Sequence, residues 1–144
     1  MADDAELRLR MVQGFSMGVP HNRALGMKII AIGKDTIFEL PYDTKLVGNP
    51  DTGILHGGAI TALLDGCSGA AVFAALTELV PIATLDLRID YLRPADPGKS
   101  VFAKATCYKM ARNVAFTRAV AYHETEEDAI AHSVGTFMLS TRNK

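Results

Sequence analysis

From Gly57 to Leu76 the chain runs through twenty residues whose one charged side chain is Asp65. A helix that is apolar around its whole circumference has no face to offer to water, so it must be enclosed. Its length approaches what a bilayer requires. Asp65 near its middle would cost roughly 2.5 to 3.5 kcal/mol there, however, and basic flanks are missing. Enclosure by protein is the expectation.

The remaining segments supply the means. After Pro81, the runs Ile82 to Leu92, Val101 to Tyr108, Val114 to His123 and Ile130 to Leu139 read as strands separated by turn-forming or polar stretches. In the first, Leu85, Leu87, Ile89 and Tyr91 alternate with Thr84, Asp86, Arg88 and Asp90, which predicts one apolar and one polar face. Upstream, Leu25 to Ile32 and Thr36 to Tyr42 fit a hairpin around Gly33-Lys34-Asp35. Gly48 to Gly53 reads as a loop that delivers the chain to the long helix. Leu7, Met11, Val12 and Phe15 predict a short amphipathic helix over Ala5 to Phe15, broken by Gly14, Gly18 and Pro20. A long apolar helix followed by an antiparallel run predicts an α+β domain in which a curved sheet wraps that helix. One domain over 1–144 is expected, with 1–20 as an N-terminal helical extension; a chain of this size buries roughly 70% of its unfolded surface.

The net charge of −1 and the lack of any block of like charge leave no electrostatic footprint for nucleic acid or an anionic membrane, so a small-molecule partner is expected. The acidic start Met1-Ala2-Asp3-Asp4-Ala5-Glu6 lacks the features of a secretory signal, which makes a cytoplasmic location the expectation. Cys67 and Cys107 form no Cys-x-x-Cys pair and read as ordinary core residues. His21, His123 and His132 show no metal-ligand spacing and are expected at surface or strand-end positions, so no metal site is assigned. No Gly-x-Ser-x-Gly elbow or phosphate loop occurs.

Chemistry concentrates in Gly53-Ile54-Leu55-His56-Gly57-Gly58 and Asp65. Glycines let a ligand approach backbone N–H groups at a helix N-terminus, and a lone acid in apolar surroundings is a candidate base; together they point to an acyl-transfer site. Gly57 would supply an oxyanion donor, with Gly58 beside it in substrate binding. Yet Gly57 and Asp65 are eight residues apart, about 12 Å along one helix axis, too far for both to serve one carbonyl. Two helices packed antiparallel across a twofold axis would remove the difficulty, so if these residues cooperate the active unit is a dimer. Asp65 would act as general base or as nucleophile. Otherwise it is an interface residue satisfied by neighbours such as Thr61 and Ser68. His56 suits substrate donation or a structural role at the helix start. Asn49 suits a polar site position or the turn that Asn-Pro commonly begins. Thr84 would orient a water or fill a strand position.

These residues resemble the hotdog-fold acyl-CoA thioesterases of the phenylacetate-pathway (PaaI-like) type. The resemblance runs from about Leu25 to Ser140. It is carried by Asn49 to Gly58, the acid at Asp65, and Thr84-Leu85-Asp86-Leu87-Arg88-Ile89-Asp90-Tyr91-Leu92-Arg93-Pro94-Ala95. It implies a helix wrapped by an antiparallel sheet, a homodimer with a continuous sheet and two interface active sites, and often a dimer of dimers. By that resemblance Asp65 takes the place of the catalytic acid, Gly57 of the oxyanion amide, Thr84 of a water-positioning hydroxyl and Asn49 of the active-site asparagine. The expected reaction is hydrolysis of an acyl-CoA thioester without a cofactor. Arg93, Lys109 and Arg112 are candidates for the coenzyme A phosphates. Hydration or dehydration of an acyl thioester, with His56 as base, and non-catalytic acyl-CoA sensing are the competing readings.

Overall fold

The computed structural model describes residues 2–140; residue 1 and residues 141–144 of the expected 1–144 domain lie outside that range. Two helices come first, α1 (Ala2–Met17) and α2 (Pro20–Ala24). The first is longer than expected: Gly14 does not break it, and the carbonyl of Gly14 instead accepts the N–H of Gly18 at the helix end. Val12 is fully buried and anchors it. α2 went unforeseen because five residues opened by Pro20 carry too little periodicity to read. It also shortens the following strand, which begins at Lys28 rather than Leu25.

The strands β1 (Lys28–Ala31), β2 (Thr36–Leu40), β5 (Ile82–Tyr91), β6 (Val101–Met110), β7 (Val114–Tyr122) and β8 (Ala131–Leu139) form one sheet, ordered β1-β2-β6-β7-β8-β5 and antiparallel throughout. A two-stranded ribbon, β3 (Val47–Asn49) with β4 (Ile54–Leu55), occupies the region expected as loop and leads into α3 (Gly57–Ala75). Gly48 is required in that ribbon, because a Cβ there would come within 2.9 Å of the Cα of His56.

The sheet wraps α3 as the apolarity of that helix demands. Leu63, Leu64, Cys67, Ala70 and Ala71 of α3 meet Phe38, Leu40 and Val101 in one buried cluster. Beneath the helix the sheet presents Ala103, Ala105, Ala119, Ala121 and Ala131, all nearly or fully buried. Short side chains there let a helix about 10 Å across sit deep in the concave face, while larger ones at the rim close over it. Burying a leucine such as Leu63 contributes roughly 1.5–3 kcal/mol.

One expectation is corrected, and one is met in a buried setting. The alternation along β5 fails at Leu85, where a register shift between Thr84 and Asp86 turns that residue out; Leu85 and Tyr91 are each about half exposed. His123 lies at the end of β7 but is buried. Its Nε2 accepts the N–H of Asp96 and its Nδ1–H donates to the carbonyl of Ser100, pinning the loop before β6.

Candidate active site

The N-terminus of α3 is organised by its own cap. His56 holds an extended conformation (φ −61°, ψ 134°), and its Nδ1 accepts the N–H of Gly58 at 2.8 Å. The structural role expected for His56 is therefore realised, leaving Nε2 as the other ring nitrogen. The same contact engages the N–H of Gly58 in the cap. The Gly57 carbonyl accepts from Tyr91 (2.8 Å) and Thr61 (3.2 Å), tying the first turn to the end of β5. Among the described residues the Gly57 N–H has no protein partner. It is a free amide donor at the positive end of a nineteen-residue helix. Sequence reasoning missed Tyr91; its alternation with Asp90 marked it as an inward apolar residue and gave no sign of the hydroxyl contact.

Two turns along, Asp65 is half-buried and its Oδ1 accepts the hydroxyl of Thr84 at 2.8 Å. Among the described residues the pairing with Thr61 or Ser68 does not occur: Thr61 bonds to Gly57, and the buried Ser68 hydroxyl has no partner there. Thr84 thus holds the carboxylate directly, and among the described residues Oδ2 is unengaged. Asp65 and Thr84 line a groove of about 390 Å³ whose other walls include Val19, Gly66, Gly69, Phe73, Ile82 and Phe137. That volume falls within the range of about 300–1,000 Å³ for small-molecule sites. A larger cleft of about 480 Å³ on the outer sheet face is lined by Arg88 and Asp90, and by Lys104 with Glu126, which pair with one another. It has the character of a solvated polar face.

Asn49 forms the turn expected of Asn-Pro. Its Oδ1 accepts the N–H of Asp51, and its carbonyl accepts from Thr52 and Gly53. Arg93, expected among the coenzyme-binding cations, is otherwise committed: Nε and Nη2 grip the Asp128 carboxylate at 3.0 Å each, and Nη1 reaches the carbonyl of Pro94. Lys109 and Arg112 carry no ion pair among the described residues. The sheet register aligns Met110, Ala115, Phe137 and Thr84 across neighbouring strands, so the β6–β7 hairpin bearing Lys109 and Arg112 lies at the Thr84 end of the sheet. Tyr91, with Gly57, lies at the opposite end, in register with Ala131 and Ala121.

Cys67 projects from α3 onto the sheet, its thiol donating to the carbonyls of Thr36 and Ala103; burial pushes its pKa up to about 12. It is an inert core residue, as expected. Burial also raises the half-buried Cys107 thiol. Among the described residues no group of three or more His, Cys, Asp or Glu is placed to hold a metal.

A long helix enclosed by a curved antiparallel sheet is the hotdog fold of the thioesterases. The Thioesterase superfamily model matches residues 52–130, and the chain belongs to that family. The medium/long-chain acyl-CoA thioesterase YigI of Escherichia coli strain K12 is 34% identical over 94% of this chain and 96% of its own length. A Pseudomonas aeruginosa protein of known crystal structure is 40% identical, with a TM-score of 0.84 over 92% of this chain and 99% of that one. A variant of the phenylacetic acid degradation protein PaaI from Thermus thermophilus is 25% identical, with a TM-score of 0.73 over 84% of this chain and 99% of that one.

Proposed function

We propose that the protein hydrolyses acyl-CoA thioesters at sites shared between two copies of the chain, with Asp65 of one copy activating water and the Gly57 N–H of the other receiving the thioester oxygen. The observation that carries this reading is the separation of a free helix N-terminal amide from an acid fixed in an apolar groove eight residues along the same helix.

The edges of the sheet support the pairing. β1 is four residues long, bulged and begins with Lys28, whereas β5 offers ten residues with one side unpaired. Long open edges are normally covered or paired. Antiparallel pairing of two β5 strands about a twofold axis near Leu87 would set the Thr84 end of one chain beside the Tyr91 end of its partner. It would thereby bring Asp65 toward the partner's Gly57.

In the reaction, Asp65 Oδ2 accepts a proton as water oxygen attacks the thioester carbonyl carbon, while Thr84 holds Oδ1. The developing oxyanion gains the Gly57 N–H and the helix dipole. Collapse of the tetrahedral intermediate breaks the carbon–sulfur bond and returns the proton to the coenzyme A thiolate. Lys109 and Arg112, at the Thr84 end, are the cations proposed for the coenzyme phosphates. YigI and PaaI both fit this reading, and the motif from Asn49 to Gly58 supports a PaaI-like placement within the family. Asp65→Asn, nearly isosteric, should remove free-thiol release from acyl-CoA while leaving the oligomer intact by size-exclusion chromatography; retained turnover overturns the assignment.

A further inference from the structure

The groove beside Asp65 has a direction. On α3 its lining begins at Asp65, continues through Gly66, Gly69 and Ala70, and ends at Phe73. These residues recur on one helix face, and the small ones leave a channel where side chains would otherwise stand. One end is polar: Asp65 and Thr84 are bonded there, and the amide oxygen of Asn22 would lie 3.5 Å from a Cβ at Gly66. The other end is apolar, with Ile82 and Phe137 at 3.7 Å from a Cβ at Gly69. At that end Phe73 stacks on Phe15 of α1, ring centroids 5.2 Å apart and planes 23° from parallel. Polar at the acid and hydrocarbon beyond it, the channel matches an acyl thioester entered head at Asp65 and tail toward Phe73.

We infer that this channel is an acyl ruler, and that the Phe15–Phe73 stack at its end sets the length of straight chain the protein prefers. The inference rests on the thioesterase reading and adds to it the substrate class and a specificity role for the N-terminal helix. From Asp65 to Phe73 is eight residues, about 12 Å along α3. An extended chain advances about 3.6 Å per three bonds, so a straight acyl group of about ten carbons spans that distance. Phe15 is half exposed on an outer helix, so its truncation leaves the main core untouched. Gly69 has space for a methyl in ordinary van der Waals contact, so alanine there narrows the channel without displacing backbone.

The test is kcat/KM over a series of straight-chain acyl-CoAs, short to long, for wild type, Phe73→Ala, Phe15→Ala and Gly69→Ala. One methylene in an apolar pocket is worth about tenfold or more. Phe73→Ala and Phe15→Ala should therefore raise the ratio of long-chain to medium-chain kcat/KM by about tenfold, and Gly69→Ala should lower it by a similar factor. Folded, active Phe15→Ala and Gly69→Ala proteins with the wild-type length profile overturn the ruler, even if Phe73→Ala does not fold. Wild type inactive at every length overturns the thioesterase reading beneath it instead.

Discussion

The sharpest consequence of the shared site is a complementation experiment with two individually dead chains. Gly57 occupies the first helical position after the His56 cap, where proline is favoured because its missing N–H has no intrahelical role. His56, at φ −61° and ψ 134°, already has the conformation that a following proline imposes. A Cβ at Gly57 would meet nothing nearer than the Tyr91 hydroxyl at 3.6 Å. Gly57→Pro therefore deletes one amide donor while keeping the helix, and should lower kcat by about 10²–10³-fold, as loss of an oxyanion donor does. Asp65→Asn removes the base. When the two variants are unfolded together in equal amounts and refolded, about half of the dimers are mixed, and each mixed dimer has one site with both residues intact and one with both replaced. Free-thiol release should recover to about one quarter of wild type, against almost none for either variant refolded alone. If Gly57 and Asp65 served within one chain, every site in a mixed dimer would carry one defect. Recovery no greater than the separate variants would then refute the shared-site geometry.

Other expectations follow from single contacts. Thr84→Val keeps the shape of the side chain but removes its hydrogen bond to Asp65. A bond to a charged group is worth about 1.5–3 kcal/mol, so kcat should fall by about tenfold or more with little change in KM, read from steady-state kinetics. Arg112→Ala should raise KM for acyl-CoA, an effect that fades with added salt; Arg93→Ala should instead lower the thermal midpoint by breaking its grip on Asp128, with KM unchanged. Cys67 gives a pH signature. Its thiol rises from an ordinary 9.0 to about 12 in the fold, so its contribution is complete below about pH 9 and is lost as pH climbs toward 12, at up to about 1.4 kcal/mol per unit. Urea titrations from pH 8 to 11 should show Cys67→Ala losing stability less steeply than wild type; parallel curves would refute the assignment.

Much of this architecture was legible because few solutions bury an apolar helix of this length. The composition of Gly57 to Leu76 demanded a wrapper, and the period-two runs after Pro81 supplied it, so the fold class and the six strands of the main sheet needed no coordinates, whereas the short β3–β4 ribbon did. Glycine before a helix and an acid within it were equally readable, since those depend on residue type and spacing alone. Eight residues on a helix is a distance, and that distance already argued for two chains.

Contacts between distant segments were not readable in this way. Nothing local distinguishes Thr84 from Thr61 or Ser68 as the partner of Asp65; only the packing of β5 against α3 selects it. The alternation along β5 could not announce the bulge at Leu85, because a bulge records how one strand fits another. Arg93 looked like a free cation until the return of the chain placed Asp128 against it. Gly58 looked like an open amide until the His56 ring turned back onto it. Sequence alone determined which elements form and what chemistry they carry, since periodicity and residue type act locally. Tertiary structure decided which donors remain free and where the groove ends, because those depend on segments far apart in the chain meeting at hydrogen-bond and van der Waals range.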